Sequence, residues 1–181
     1  MKRFLLIILL LSLAAAAGAQ EGLPTTVKEV RQKYADAQQY IALMDQEEHI
    51  RSQVTLSLQR NVPAIGIQKK TVTCFFENFE NDKEGEWGFI YRPFFMTVKF
   101  NAAVRQFYRE FLYDAASGKP VFVFLQQDSI RGDQKDETRY YFGPSGLISE
   151  NIKGERIMDQ QEAYDMAISL WSTLFNNMNN L

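Results

Sequence analysis

Apolar residues recur along this chain at two different periods. Val27, Val30, Tyr34, Ala37, Ile41 and Met44 lie three or four apart, with charges and glutamines between them. That spacing predicts an amphipathic helix over residues 26–46. Thr26 followed by Glu29 supplies a capping box at its start. After Glu48 the period drops to two. Ile50, Ser52, Val54, Leu56 and Leu58 alternate with Arg51, Gln53, Thr55, Ser57 and Gln59, as in a strand with one polar face. Asn61-Val62-Pro63-Ala64-Ile65-Gly66 breaks that strand, and Gln68–Phe79 resumes the extended pattern. Asn78–Glu86 reads as an acidic hairpin loop.

The densest strand signal runs from Trp87 to Ile152. Phe94, Met96, Val98 and Phe100 share one face. Pro120–Leu125 is apolar on both, with Val121, Val123 and Leu125 opposed to Phe122 and Phe124, so it belongs near the centre of a covered sheet. Residues 106–114 read as a strand leading through an Asp-Ala-Ala-Ser-Gly-Lys turn, while 102–105 fit helix or strand. Gln126–Glu137 is a polar loop, Thr138–Phe142 a strand, Gly143–Gly146 a turn and Leu147–Ile152 a last strand. Asp159 with Glu162 caps a second helix, in which Ala163, Met166, Ala167, Leu170, Trp171, Leu174 and Phe175 form one stripe; residues 176–181 are expected to fray. The fold class predicted is α+β: an antiparallel β-meander of about seven strands, with N-terminal and C-terminal helices packed mainly on one face.

The first residues change where this domain is expected to work. Met1-Lys2-Arg3, the apolar run Phe4–Leu13 and Ala17-Gly18-Ala19 have the form of a cleaved signal peptide over residues 1–19, leaving 20–181 as a single α+β domain in the periplasm or secreted medium. The apolar run is short for a membrane span, so none is expected after cleavage, and no cysteine stands at the cleavage point to carry a lipid. The single cysteine, Cys74, excludes an internal disulfide. A formal net charge of −2, without a basic cluster in sequence, argues against nucleic acid as a partner. No Asn-x-Ser/Thr acceptor occurs, in keeping with a bacterial secreted protein.

Three segments carry a resemblance: Asn61–Gly66 with the Thr/Phe strand after it, Glu110–Phe124, and Arg139-Tyr140-Tyr141-Phe142 with its glycine turn. Together they resemble small exported proteins of Gram-negative bacteria without an assigned activity. In outline, a helix ahead of an antiparallel meander is similar to the PepSY and beta-lactamase-inhibitor-like architectures. The resemblance implies the fold and carries no catalytic residue to this chain.

Candidate chemistry is sparse. His49 is the lone histidine and has no second histidine at ligand spacing, so it reads as a helix-end or turn residue. No Gly-x-Ser-x-Gly elbow presents a nucleophile. Cys74 sits inside a strand next to Phe75 and Phe76, the setting of an inert buried thiol. Two acidic turns, Glu77–Glu86 and Asp128–Asp136, lack the spacing of an EF-hand, and neither a metal nor a cofactor is expected. Arg131-Gly132-Asp133 spells an integrin-type tripeptide, read here as a polar turn. The 14 Phe, 8 Tyr and 2 Trp exceed what two helices readily cover. Two readings account for them: a two-sided core, or an accessible aromatic sheet face with Tyr91, Tyr108, Tyr113, Tyr140 and Tyr141 as candidate binding residues beside Phe94 and Phe95. The function expected is an exported, non-catalytic binding module for a protein, peptide or glycan. The alternatives are a small hydrolase with spatially assembled carboxylates or hydroxyls, and a self-associating structural protein.

Overall fold

The computed structural model describes residues 22–44, 52–64, 66–80, 88–130, 132 and 134–180. The expected signal peptide, His49, the acidic loop 81–86, and Arg131 and Asp133 lie outside the described residues. Helix α1 spans Val27–Met44. Seven strands follow in the order of the chain: β1 Gln53–Val62, β2 Gly66–Glu80, β3 Phe89–Ala102, β4 Arg105–Tyr113, β5 Pro120–Asp128, β6 Lys135–Gly143 and β7 Gly146–Lys153. Helix α2 spans Gln160–Asn179. Every neighbouring pair is antiparallel and the sheet order is β1 to β7, a simple meander. This is the α+β class that the two periods predict. The open segment 102–105 is a tight turn, with Ala103 at φ 51°. Strands β5 and β6 run further than expected and shorten the polar loop between them.

Both helix starts are built as their sequences predict. The Glu29 amide donates to Thr26 Oγ1 at 3.2 Å, and the Thr26 amide donates back to Glu29 Oε2 at 3.3 Å. The Glu162 amide donates to Asp159 Oδ1 at 2.9 Å. Residues 176–179, expected to fray, continue the helix. Asn179 donates through Nδ2 to the Tyr91 carbonyl at 2.9 Å and accepts from the Tyr91 amide through Oδ1 at 3.0 Å, so its side chain pairs with β3 as a strand residue would.

One detail of the expected architecture differs: the helices take opposite faces of the sheet instead of sharing one. Beneath α2 lie Met96, Phe111, Tyr113, Val123, Tyr140 and Phe142, against Ala163, Ala167 and Leu174. Beneath α1 lie Phe94, Phe95, Leu112, Phe122 and Tyr141, against Val30 and Ala37. Neighbours in sequence such as Phe111 and Leu112, or Tyr140 and Tyr141, therefore belong to different cores, as strand alternation requires. The physical reason is the central strand, which is apolar on both faces and needs a cover on each. Register shifts at Phe75/Phe76 and Leu112/Tyr113 modify the alternation. They let the adjacent Phe94 and Phe95 both enter the α1 core, and they move Val121 to that core while Val123 stays in the other.

Candidate functional site

Helix α1 covers only part of its face. It crosses the sheet at the row Phe95, Leu112, Phe122 and Tyr141, with Tyr34 edge-on to Phe95 and Phe122 at 5.9 and 5.3 Å between ring centres. Two further rows on the same face continue away from the helix. The register aligns Thr73, Thr97, Glu110, Phe124, Arg139 and Asn151 in the first. It aligns Thr71, Lys99, Tyr108, Gln126, Glu137 and Lys153 in the second. Lys69, Asn101, Gln106, Asp128 and Lys135 lie beyond them, around a cleft of about 520 Å³. The result is a polar shelf across β2 to β7, roughly 24 Å wide at the usual ~4.8 Å strand spacing.

The electrostatics of the shelf differ from those of the whole chain. It carries Lys69, Lys99, Lys135, Arg139 and Lys153 against Glu110, Asp128 and Glu137, in a chain of net charge −2. Its three acids are all engaged by protein groups. Glu110 accepts hydrogen bonds from Tyr34 at 2.8 Å and Tyr108 at 2.6 Å. Asp128 Oδ2 accepts the Gln106 amide at 2.7 Å. Glu137 pairs with Arg139 at 2.8 Å and reaches Lys153 at 3.9 Å. Burial opposes ionisation of the Glu137 carboxyl, but Arg139, Gln126 and Lys153 together outweigh it and hold that carboxyl below the usual range. Burial raises the Tyr34 and Tyr108 phenols, and the hydrogen bond and negative charge of Glu110 raise them further. Both phenols are thus donors. A smaller pocket of about 290 Å³, lined by Arg31, Tyr34, Glu110, Phe124 and Arg139, continues the shelf under α1. Arg139 lies 4.6 Å over the Phe124 ring and Lys99 5.6 Å over that of Tyr108.

Among the five tyrosines singled out from sequence, Tyr108 alone borders the large cleft. Tyr113, Tyr140 and Tyr141 are buried, so they do not form an accessible aromatic face. Their hydroxyls and rings serve the two cores: Tyr113 donates to the Ala167 carbonyl at 3.0 Å, Tyr140 to the Met158 carbonyl, and Tyr141 packs on Phe122. Tyr91 is half-buried beside α2. Phe94 and Phe95 are buried as well. The apparent surplus of aromatics is absorbed because there are two cores rather than one. Cys74 is buried, and burial pushes its thiol up, as its apolar neighbours imply. Asp128 and Asp136 turn to opposite faces, Asp136 accepting the Glu155 amide at 3.1 Å, so they do not converge on a cation. Among the described residues no group of three His, Cys, Asp or Glu side chains could hold a metal ion. No described helix is long and apolar enough to cross a membrane.

Sequence reasoning missed Lys69, Lys99, Gln106, Gln126 and Lys135. Their signal was present as the polar half of each alternating strand, which becomes one surface once the meander order is known. Compared with known proteins, the chain matches no family model, no curated protein and no solved structure.

Proposed function

We propose that this protein is an exported, non-catalytic binding module whose ligand lies along the uncovered polar shelf, and that the ligand is an acidic glycan. The observation that carries the reading is the cationic cleft of about 520 Å³ set in a net acidic chain. Lysines at its edges suit carboxylate or sulfate groups. Asn101, Gln106 and Gln126 offer paired donors and acceptors of the kind that hold vicinal hydroxyls. Tyr108 and Phe124 give stiff apolar edges for sugar rings. An open shelf also suits a chain longer than the cleft itself, which an enclosed pocket would exclude.

The hydrolase alternative would draw on Tyr34, Glu110 and Tyr108. Their chemistry favours a brace between α1 and the sheet, because the phenols stay protonated and the carboxylate is shared between them. Calorimetric titration with oligogalacturonate, with neutral dextran as control, tests the proposal. Micromolar to millimolar binding of the acidic chain alone is expected, weakened about tenfold or more by the Lys69→Glu/Lys99→Glu double variant. Equal binding of dextran, or binding untouched by the double variant, overturns it. Fractionation of producing cells tests export separately, with the mature chain expected outside the cytoplasm.

A further inference from the structure

The two edges of the sheet are defended differently. Strand β7 is eight residues long and carries Glu150 and Lys153, with Glu150 tied to Arg156 at 2.8 Å. Strand β1 is ten residues long and has no charge or proline from Ser52 to Gln59. Leu56 and Leu58 on it are 46% and 62% exposed. Among the described residues no strand pairs with its outer side. Exposed edges are ordinarily protected by charge, proline, bulges or shortness, and β1 has no charge, proline or bulge from Gln53 to Gln59.

Hydrogen-bond alternation says which groups are offered. The Ser52 carbonyl accepts the Phe76 amide at 2.9 Å, and β1 pairs with β2 without a register shift. Even-numbered residues therefore turn their amides and carbonyls toward β2, while Gln53, Thr55, Ser57 and Gln59 turn theirs outward. We propose that β1 is a self-association edge: two copies of this chain pair β1 antiparallel about a twofold axis at Ser57, making one continuous sheet of fourteen strands.

This axis places two outward-facing Ser57 residues opposite each other as a hydrogen-bonded pair. It sets Leu56 of each copy against Leu58 of the other in the closer, non-hydrogen-bonded positions. About nine residues of each strand pair, a ladder of roughly 30 Å. The four leucines cover one another on the α2 side, next to the half-buried Phe100 and Phe107, which stack at 4.6 Å. Charge is compatible with self-pairing, since Thr55–Gln59 meets only itself and Arg60 falls opposite the uncharged Val54. A second copy is thus a better fit than a charged peptide, and closed twofold pairing is the commonest form of homo-oligomer.

Light scattering coupled to size exclusion, run on the purified protein over a concentration series, reads the mass directly. A dimer is expected, and Leu58→Lys is expected to convert it to monomer with an unchanged far-ultraviolet spectrum, because Leu58 makes little core contact. Ser57→Cys is expected to give a disulfide-linked dimer on mild oxidation; the buried Cys74 leaves the unsubstituted protein uncross-linked. A monomer at every concentration overturns the proposal. So does a dimer that Leu58→Lys leaves intact, or one in which Ser57→Cys fails to cross-link.

Discussion

Glu110 accepts phenolic hydrogens from two residues that reach it from different layers, Tyr34 from α1 and Tyr108 from its own strand. Hydrogen bonds to a charged acceptor are stronger than neutral ones. Tyr34→Phe is therefore expected to lower stability by about 1–2 kcal/mol, read as a shift in the urea midpoint at unchanged m-value. The same phenols set an alkaline limit. Those of Tyr34, Tyr108 and Tyr113 are all raised in the folded chain, chiefly by burial. The native state keeps protons that the unfolded chain loses above about pH 10. The contribution of these residues is complete below that pH and declines as pH rises past it, because unfolding then releases protons. An absorbance titration at tyrosinate wavelengths should show these residues ionising together with unfolding. Loss of all tyrosine protons before the far-ultraviolet signal changes would contradict the burial assigned to them.

At the scale of elements, α2 is fixed through Trp171 and the turn between β4 and β5. The indole donates to the Pro93 carbonyl at 2.9 Å, and Gly118 packs against the ring so closely that a Cβ would meet it at 2.8 Å. Gly118 also has φ 69°, a left-handed conformation that costs other residues. Gly118→Ala should destabilise by about 1–3 kcal/mol, seen as a lowered Tm, and the loss should shrink in a Trp171→Phe background. The elements themselves were legible in the sequence because their signals are local. Periods of 3.6 and 2, the capping pairs Thr26/Glu29 and Asp159/Glu162, and the glycine turns each act within a few residues. What was not legible is non-local. Phe94 and Phe95 look like alternating neighbours until the shift opposite Phe75/Phe76 turns both toward α1. The opposite placement of the helices follows from a two-sided β5, a pattern visible in the sequence, where nothing local says which element covers which face. Asn179, in a polar tail, gives no sign that its amide completes the edge of Tyr91 on β3.

For the molecule as a whole, the consequence of covering both faces unequally is the shelf. Helix α1 crosses one end of its face and leaves the rows of Glu110 and Tyr108 open, so lysines scattered through β2, β3 and β6 become one surface. Tyr108 was legible as a candidate because it is aromatic on a strand; Lys69, Lys99 and Lys135 were not, because only the meander brings them together. An ionic contribution of this kind weakens with salt, so glycan affinity should fall several-fold between 50 and 300 mM NaCl, at an unchanged Tm. The measurement that tests the central claim most directly is a nuclear magnetic resonance titration of the isotope-labelled protein with trigalacturonate. Amide shifts confined to the cleft strands around Lys69, Lys99, Tyr108 and Gln126 are the predicted result. No shifts at millimolar ligand, or shifts gathered on α2 and β7 instead, would contradict it.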